Sequence, residues 1–84
     1  MAEIRWIPAA KKDLEKLDPP IKKRILKKIS WLAENLDHIT PKSLSGEYSN
    51  LYKLRVGDWR VIYDFEPDSK LIIRFIGHRS DIYE

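Results

Sequence analysis

The residues best suited to chemistry are cations in the last third of the chain. Lys53 and Arg55 are two positions apart, Arg60 follows a Gly-Asp pair, and His78 and Arg79 are neighbours near the end. Fixed cations bind phosphate groups and stabilise developing negative charge. Histidine exchanges protons near neutral pH. The chain has no cysteine and no carboxylate cluster typical of metal sites, so the sequence indicates neither a metal nor any other cofactor.

Three consecutive strands are predicted to position these side chains. The alternation of residues predicts strands at 51–56, 59–65 and 71–77. Gly57-Asp58 fits a two-residue hairpin turn, and this register places Arg55 directly opposite Arg60. The segment 66–70 is predicted to form the next turn.

The N-terminal half is predicted to supply a helical layer. It contains a short strand at 4–7, helices at 9–17 and 19–36, and a polar loop at 37–50. Asp18 and Pro19 suit the start of the second helix. The order β-α-α-β-β-β predicts an α+β fold, in which an N-terminal helical hairpin packs on one face of an antiparallel sheet. At 84 residues we expect one domain, residues 1–84.

Alternation along the strands predicts one apolar and one cationic face of the sheet. The apolar, helix-facing set is Tyr52, Leu54, Val56, Trp59, Val61, Tyr63, Leu71, Ile73 and Phe75. The opposite set is Lys53, Arg55, Arg60, Ile62, Ile72, Arg74, Ile76 and His78, with Asp64 as the only carboxylate. Directly opposed cations destabilise a strand pair, so a docked phosphate backbone is the simplest reason for them. The alternative is a solvated face whose cations deter edge pairing.

The bulk properties agree with a small basic protein. The formal net charge is +3, no stretch approaches the roughly 20 apolar residues of a membrane span, and the N-terminus lacks a signal-peptide layout, so we expect a cytoplasmic protein. The helices carry many lysines, which form either a solvated face or a surface for ribosomal RNA. Leu26 and Trp31 lie off the apolar stripe of the second helix and are either partner contacts or partly buried.

The stretch from Leu51 to Tyr63 (LYKLRVGDWRVIY) and the ending from Gly77 to Tyr83 (GHRSDIY) resemble the RelE/ParE superfamily of toxins, in its RelE-like branch. The segment 42–46 is similar to the family's loop before the sheet, and the resemblance covers essentially the whole chain. It implies the toxin of a type II toxin–antitoxin system, a ribosome-dependent endoribonuclease (mRNA interferase). Such a toxin cleaves mRNA in the ribosomal A site without metal and is blocked by a cognate antitoxin protein.

The resemblance also implies roles for individual residues. Lys53 corresponds to the lysine that activates the 2′-hydroxyl, and Arg55 and Arg60 to the cations that hold the scissile phosphate. Arg79 matches the group that protonates the leaving 5′-oxygen, although the neighbouring His78 is chemically the easier acid. Tyr83 corresponds to an aromatic residue that stacks on a base.

Two departures from the family pattern bear on these roles. The hairpin is shorter than in the best-known members, so the lysine and arginine positions can shift by one, and the chain ends one residue after Tyr83 without the C-terminal helix of some members.

Two other functions stay open. One is a ParE-like gyrase poison without a nuclease site, and the other is an inactive member that only binds an antitoxin.

Overall fold

The computed structural model describes residues 2–38, 42–43, 51–66 and 69–82. The elements in chain order are β1 (Glu3–Trp6), α1 (Pro8–Glu15), α2 (Pro19–Asn35), a 3-10 turn (Leu36–His38), β2 (Lys42–Ser43), β3 (Tyr52–Val56), β4 (Trp59–Glu66) and β5 (Lys70–His78). The predicted helices and the four longer strands are confirmed to within about two residues. The predicted loop contains β2, and its segments 39–41 and 44–50 lie outside the described residues.

Both helices begin at proline. Proline suits the first turn of a helix, because the N–H that it lacks would have no acceptor within the helix there. Asp18 takes the N-cap position of α2, as predicted, but its side chain makes no capping hydrogen bond. Its backbone carbonyl instead accepts the Lys22 N–H at 2.9 Å. No helix in the described part of the chain is long and apolar enough to cross a membrane.

The sheet has the strand order β1-β5-β4-β3-β2. Pairs among β2 to β5 are antiparallel, whereas β1 runs parallel to β5 with Ile4 opposite Leu71. The prediction of a wholly antiparallel sheet is therefore wrong at β1. A parallel pair needs a long crossover connection, and here the helices and the strands between β1 and β5 provide it.

One continuous core lies between the helices and one face of the sheet. Its helical part consists of Ala10 from α1 and Ile25, Ile29, Leu32 and Ala33 from α2. The sheet contributes Leu54, Val56, Val61, Tyr63, Leu71, Ile73 and Ile76. The predicted apolar stripes of both helices are confirmed, since Leu14, Leu17, Ile21 and Leu36 also pack against this core.

A β-bulge in β5 changes which side chains share a face. Ile62 is opposite Phe75 but the next residue, Tyr63, is opposite Ile73, so Arg74 is the extra residue. Beyond the bulge the alternation is reversed. Ile76 enters the core, and Phe75 is one-third exposed at 37%. The expectations that Phe75 faces the helices and Ile76 the cationic face are therefore wrong.

Candidate functional site

The face of the sheet that points away from the helices, here called the open face, is centred on β3 and β4. The turn at Gly57-Asp58 forms as predicted, with Gly57 at a positive φ of 60° that favours glycine. The register follows from it: Arg55 lies opposite Arg60, and Lys53 opposite Ile62. The prediction that these three cations occupy one face with the arginines opposed is confirmed. Arg55 is exposed and Lys53 half-buried.

Arg60 differs from its neighbours because it is 6% exposed. Its Nη1 donates to the carbonyl oxygens of Gly57 at 2.9 Å and Trp59 at 3.0 Å. The sequence places Arg60 on the cationic face but does not indicate this burial. The side chain is folded against the hairpin turn, where it fixes the backbone beside Arg55 and places a buried positive charge beneath the face.

The segment after β5 packs on the open face through Ile82. The sequence pattern did not single out this residue. Ile82 is 9% exposed and forms a second, small apolar cluster with fully buried Ile62 and partly buried Leu51. Gly77 permits this contact, because a Cβ there would lie 3.1 Å from two carbons of Ile82. The available signal was an isoleucine within an otherwise polar tail. The cluster holds the segment after β5 close to Lys53 and its strand partner.

Arg79 lies beside the hairpin turn, at the end of the open face. Its backbone N–H donates to the Asp58 carbonyl at 2.7 Å, and its Nε lies 3.7 Å from Asp58 Oδ1. Its side chain is exposed. This places a second exposed arginine near the turn that separates Arg55 from Arg60.

His78 does not join this group. It pairs with Trp59, and the two rings meet edge to face with centroids 5.5 Å apart, on the side of the sheet where Trp59 packs against the core. The expectation that His78 faces the cationic side is wrong, for the same bulge that moves Ile76. Tyr83, the proposed base-stacking residue, lies outside the described residues.

Arg74 adds no uncompensated charge to the face. Its guanidinium donates to Asp64 Oδ2 from Nη2 at 2.7 Å and from Nε at 3.1 Å. Toward the hairpin turn the open face carries Lys53, exposed Arg55 and buried Arg60, and Arg79 lies at its end, 3.7 Å from the Asp58 carboxylate.

Tyr63 is buried in the core on the helix-facing side of the sheet. Burial raises the pKa of Tyr63 to about 12, and the neighbouring Tyr52 acts in the same direction. The ring centroids of these two tyrosines are 5.8 Å apart. Tyr63 is therefore not expected to exchange protons near neutral pH.

The sequence belongs to a family of small toxins from type II toxin–antitoxin systems. The sequence model of the ParE toxin of the type II toxin–antitoxin system parDE matches residues 4–83, so the chain belongs to this family, within the RelE/ParE superfamily. The predicted superfamily is thereby confirmed. No curated protein matches the sequence significantly.

Several solved toxin structures are similar over nearly the whole chain. The toxin–antitoxin complex RelBE2 from Mycobacterium tuberculosis has a TM-score of 0.81 at 24% identity, covering 93% of this chain and 98% of that one. The isolated RelE toxin of E. coli has a TM-score of 0.77 at 18% identity, covering 93% and 84%. The RelB–RelE complex from Methanococcus jannaschii has a TM-score of 0.71 at 28% identity, covering 95% of both chains. Complexes with antitoxins are thus among the similar structures.

Proposed function

We propose that this toxin is a ribosome-dependent endoribonuclease that cleaves mRNA through attack by the RNA's own 2′-hydroxyl. The observation that carries the proposal is the placement of Lys53 and Arg55 on one face, with Arg60 buried beneath it and Arg79 at its end. A phosphodiester bound there meets positive charge from several sides. Such fixed charge stabilises the extra negative charge of a pentacoordinate phosphorus.

The proposed reaction needs no group beyond the RNA and these side chains. The amine of Lys53 takes the proton of the 2′-hydroxyl, and the 2′-oxygen forms a bond to phosphorus. The bond from phosphorus to the 5′-oxygen breaks, and that oxygen receives a proton from Arg79, the candidate acid. The products are a 2′,3′-cyclic phosphate and a 5′-hydroxyl end.

Arg79 is preferred to His78 as the acid because of where the two side chains lie. His78 contacts Trp59 on the helix-facing side, whereas Arg79 is exposed beside the turn. An arginine is a weak acid, since its pKa exceeds about 12. A site with such weak acid–base groups depends on a substrate that is already aligned for in-line attack. The ribosome can provide this alignment, which supports ribosome dependence.

The partners follow from the same proposal. The toxin binds mRNA in the ribosomal A site, contacts ribosomal RNA there, and is held inactive by a cognate antitoxin. Similar structures that contain RelB with RelE support the last point. In the cell the consequence is inhibited translation and arrested growth.

The test is cleavage of a defined mRNA by the purified chain, with and without ribosomes. We expect cuts that require ribosomes and leave 5′-hydroxyl ends, which accept phosphate from a polynucleotide kinase without prior dephosphorylation. Lys53→Arg keeps the charge but not the base, and we expect it to lower the rate about 10²–10⁴-fold. Arg55→Ala should lower it about 10²–10³-fold, and Arg55→Lys by less. Lys12→Ala, on the exposed side of α1, is the matched control and should cleave normally. Absence of cleavage by a toxic wild-type chain would refute the proposal.

A second candidate is a gyrase poison without nuclease activity, and the match to the ParE family model favours it. It predicts DNA breaks and SOS induction on expression, with intact transcripts. Mapping transcript 5′ ends by primer extension in the same cultures separates the two functions.

A further inference from the structure

A groove of about 510 Å³ lies between α2 and the turn that joins β3 to β4. It is lined by four cations and one indole, with the turn backbone at its end: Arg24, Lys27, Lys28, Arg55, Trp31 and Gly57. We call it the α2 groove. Its size is within the range of about 300–1,000 Å³ typical of ligand sites, so it has room for one nucleotide.

In the part of the chain that the structure describes, no acidic side chain forms an ion pair with Arg24, Lys27, Lys28 or Arg55. The arginines of β5 and of the turn after it do have such partners. These four cations repel one another, and a bound polyanion removes that repulsion.

Trp31 gives the groove an aromatic surface. Its side chain is 40% exposed, and the Lys28 ammonium lies 4.3 Å from its ring centroid. An exposed cation–π contact of this kind is weak, so an incoming base can replace the ammonium over the ring while the lysine turns to a phosphate. Exposed aromatic rings interleaved with cations are typical of surfaces that bind single-stranded nucleic acid.

The α2 groove is continuous with the open face through Arg55. This residue lines the groove and also stands opposite Arg60 on the sheet, two residues from Lys53. Arg24 extends the groove to the turn, since its Nη2 would lie 3.2 Å from a Cβ on Gly57. A phosphate chain bound on the open face can therefore pass Arg55 and enter the groove without a gap in positive charge.

We propose that the α2 groove is a second binding site for single-stranded RNA, in which Trp31 stacks on a base and Lys27, Lys28 and Arg24 bind the adjoining phosphates. The site rests on the proposed function, because it holds the strand that continues beyond the cleaved phosphodiester. An acidic protein segment would satisfy the charges, but carboxylates alone give no partner for the exposed indole, whereas every nucleotide carries both a phosphate and a base that can stack. The combination of ring and cations therefore favours RNA.

The experiment measures binding of a short fluorescent single-stranded RNA with 2′-O-methyl groups, which cannot be cleaved by 2′-hydroxyl attack. Affinity is measured by fluorescence anisotropy against the purified chain over a series of salt concentrations. We expect Trp31→Ala to weaken binding about tenfold, and Trp31→Phe to weaken it less. Log affinity falls with log salt concentration, and Lys27→Ala combined with Lys28→Ala should make this slope about 1.4 less steep. This is about 0.7 for each phosphate that the variant no longer neutralises.

The matched control is Lys11→Ala combined with Lys12→Ala, which removes the same charge from the exposed side of α1. We expect this control to keep the wild-type slope, and circular dichroism to show that all variants are folded. Equal effects of the two double variants, or an unchanged affinity in Trp31→Ala, would overturn the proposal. A glutamate-rich peptide that binds with the same dependence on Trp31 and both lysines would also overturn it, because the groove would then dock protein.

The two proposals fail separately, since the RNA probe cannot be cut. Groove-dependent binding without mRNA cleavage refutes the nuclease only. Cleavage of mRNA with groove-independent binding refutes the groove only.

Discussion

Gly77 and the side chain of Ile82 are so close that a methyl group on Gly77 would have no room. A Cβ on Gly77 would lie 3.1 Å from both Cγ1 and Cδ1 of Ile82, which is inside the optimal carbon–carbon separation of about 3.5–4.0 Å. Ile82 is the residue that closes the small cluster over Ile62. We therefore expect Gly77→Ala to displace the C-terminal segment from the open face and to lower the free energy of unfolding.

The size of the effect follows from two opposing contributions. Overpacking a filled site costs about 1–3 kcal/mol. Gly77 does not have a positive φ, so alanine fits its backbone conformation. Alanine also lowers the conformational entropy of the unfolded chain, which raises the free energy of unfolding by about 0.4–1 kcal/mol. The net loss for Gly77→Ala is about 1 kcal/mol. In an Ile82→Ala background the crowding carbons are gone, and the same substitution should instead raise the free energy of unfolding by about 0.5 kcal/mol.

Urea unfolding of the wild type, both single variants and the double variant gives the full cycle. Ile82→Ala alone should cost about 2 kcal/mol, since it removes three largely buried carbon atoms. The expected coupling between the two positions is about 1.5 kcal/mol. If Gly77→Ala changes the free energy of unfolding equally with and without the Ile82 side chain, the two residues are not in contact and Ile82 does not pack on the open face beside Gly77.

Three further predictions concern the helix-facing side. Tyr63 has a folded-state pKa near 12, above its ordinary value of 10.0, so its stabilising contribution is complete below pH 10 and is lost as the pH rises toward 12. Relative to Tyr63→Phe, the wild type should lose about 2 kcal/mol between about pH 10 and pH 12 in unfolding titrations. The Asp13 carboxylate accepts the backbone N–H of Ile76 beyond the bulge at 3.0 Å, so Asp13→Ala should cost about 1–3 kcal/mol in chemical denaturation and Asp13→Asn clearly less. Leu32→Ala, at a fully buried site on α2, should cost about 2–5 kcal/mol by the same measurement, whereas Leu26→Ala, 40% exposed on the same helix, should change stability by less than about 1 kcal/mol.

The parts of the fold that depend on local patterns were predictable. Apolar spacing of 3.6 residues located both helices, and Gly57-Asp58 determined the β3–β4 register and hence the opposed arginines. The parallel pairing of β1 with β5 depends on strand order, and the short pattern of β1 carries no information about its partner.

The candidate site was predictable only as far as the alternation of side chains held. In β5 the run Leu71–Gly77 is nearly all apolar except Arg74, so the sequence does not reveal a bulge within it. That single extra residue moved Ile76 and His78 to the helix-facing side. The burial of Arg60 was equally inaccessible, because it depends on two backbone carbonyls of the turn rather than on residue types. The groove beside Trp31 arises from contacts between α2 and the hairpin, which no local pattern encodes.

The pairing of the first strand with the last one has a consequence for how the toxin is made. During synthesis β1 leaves the ribosome first but finds its neighbour only when residues 70–78 have followed. Until then the core lacks Leu71 and Ile73, and the positions of Arg79 and Ile82 do not exist. A nascent chain therefore cannot assemble the charged surface until the residues of β5 have been made.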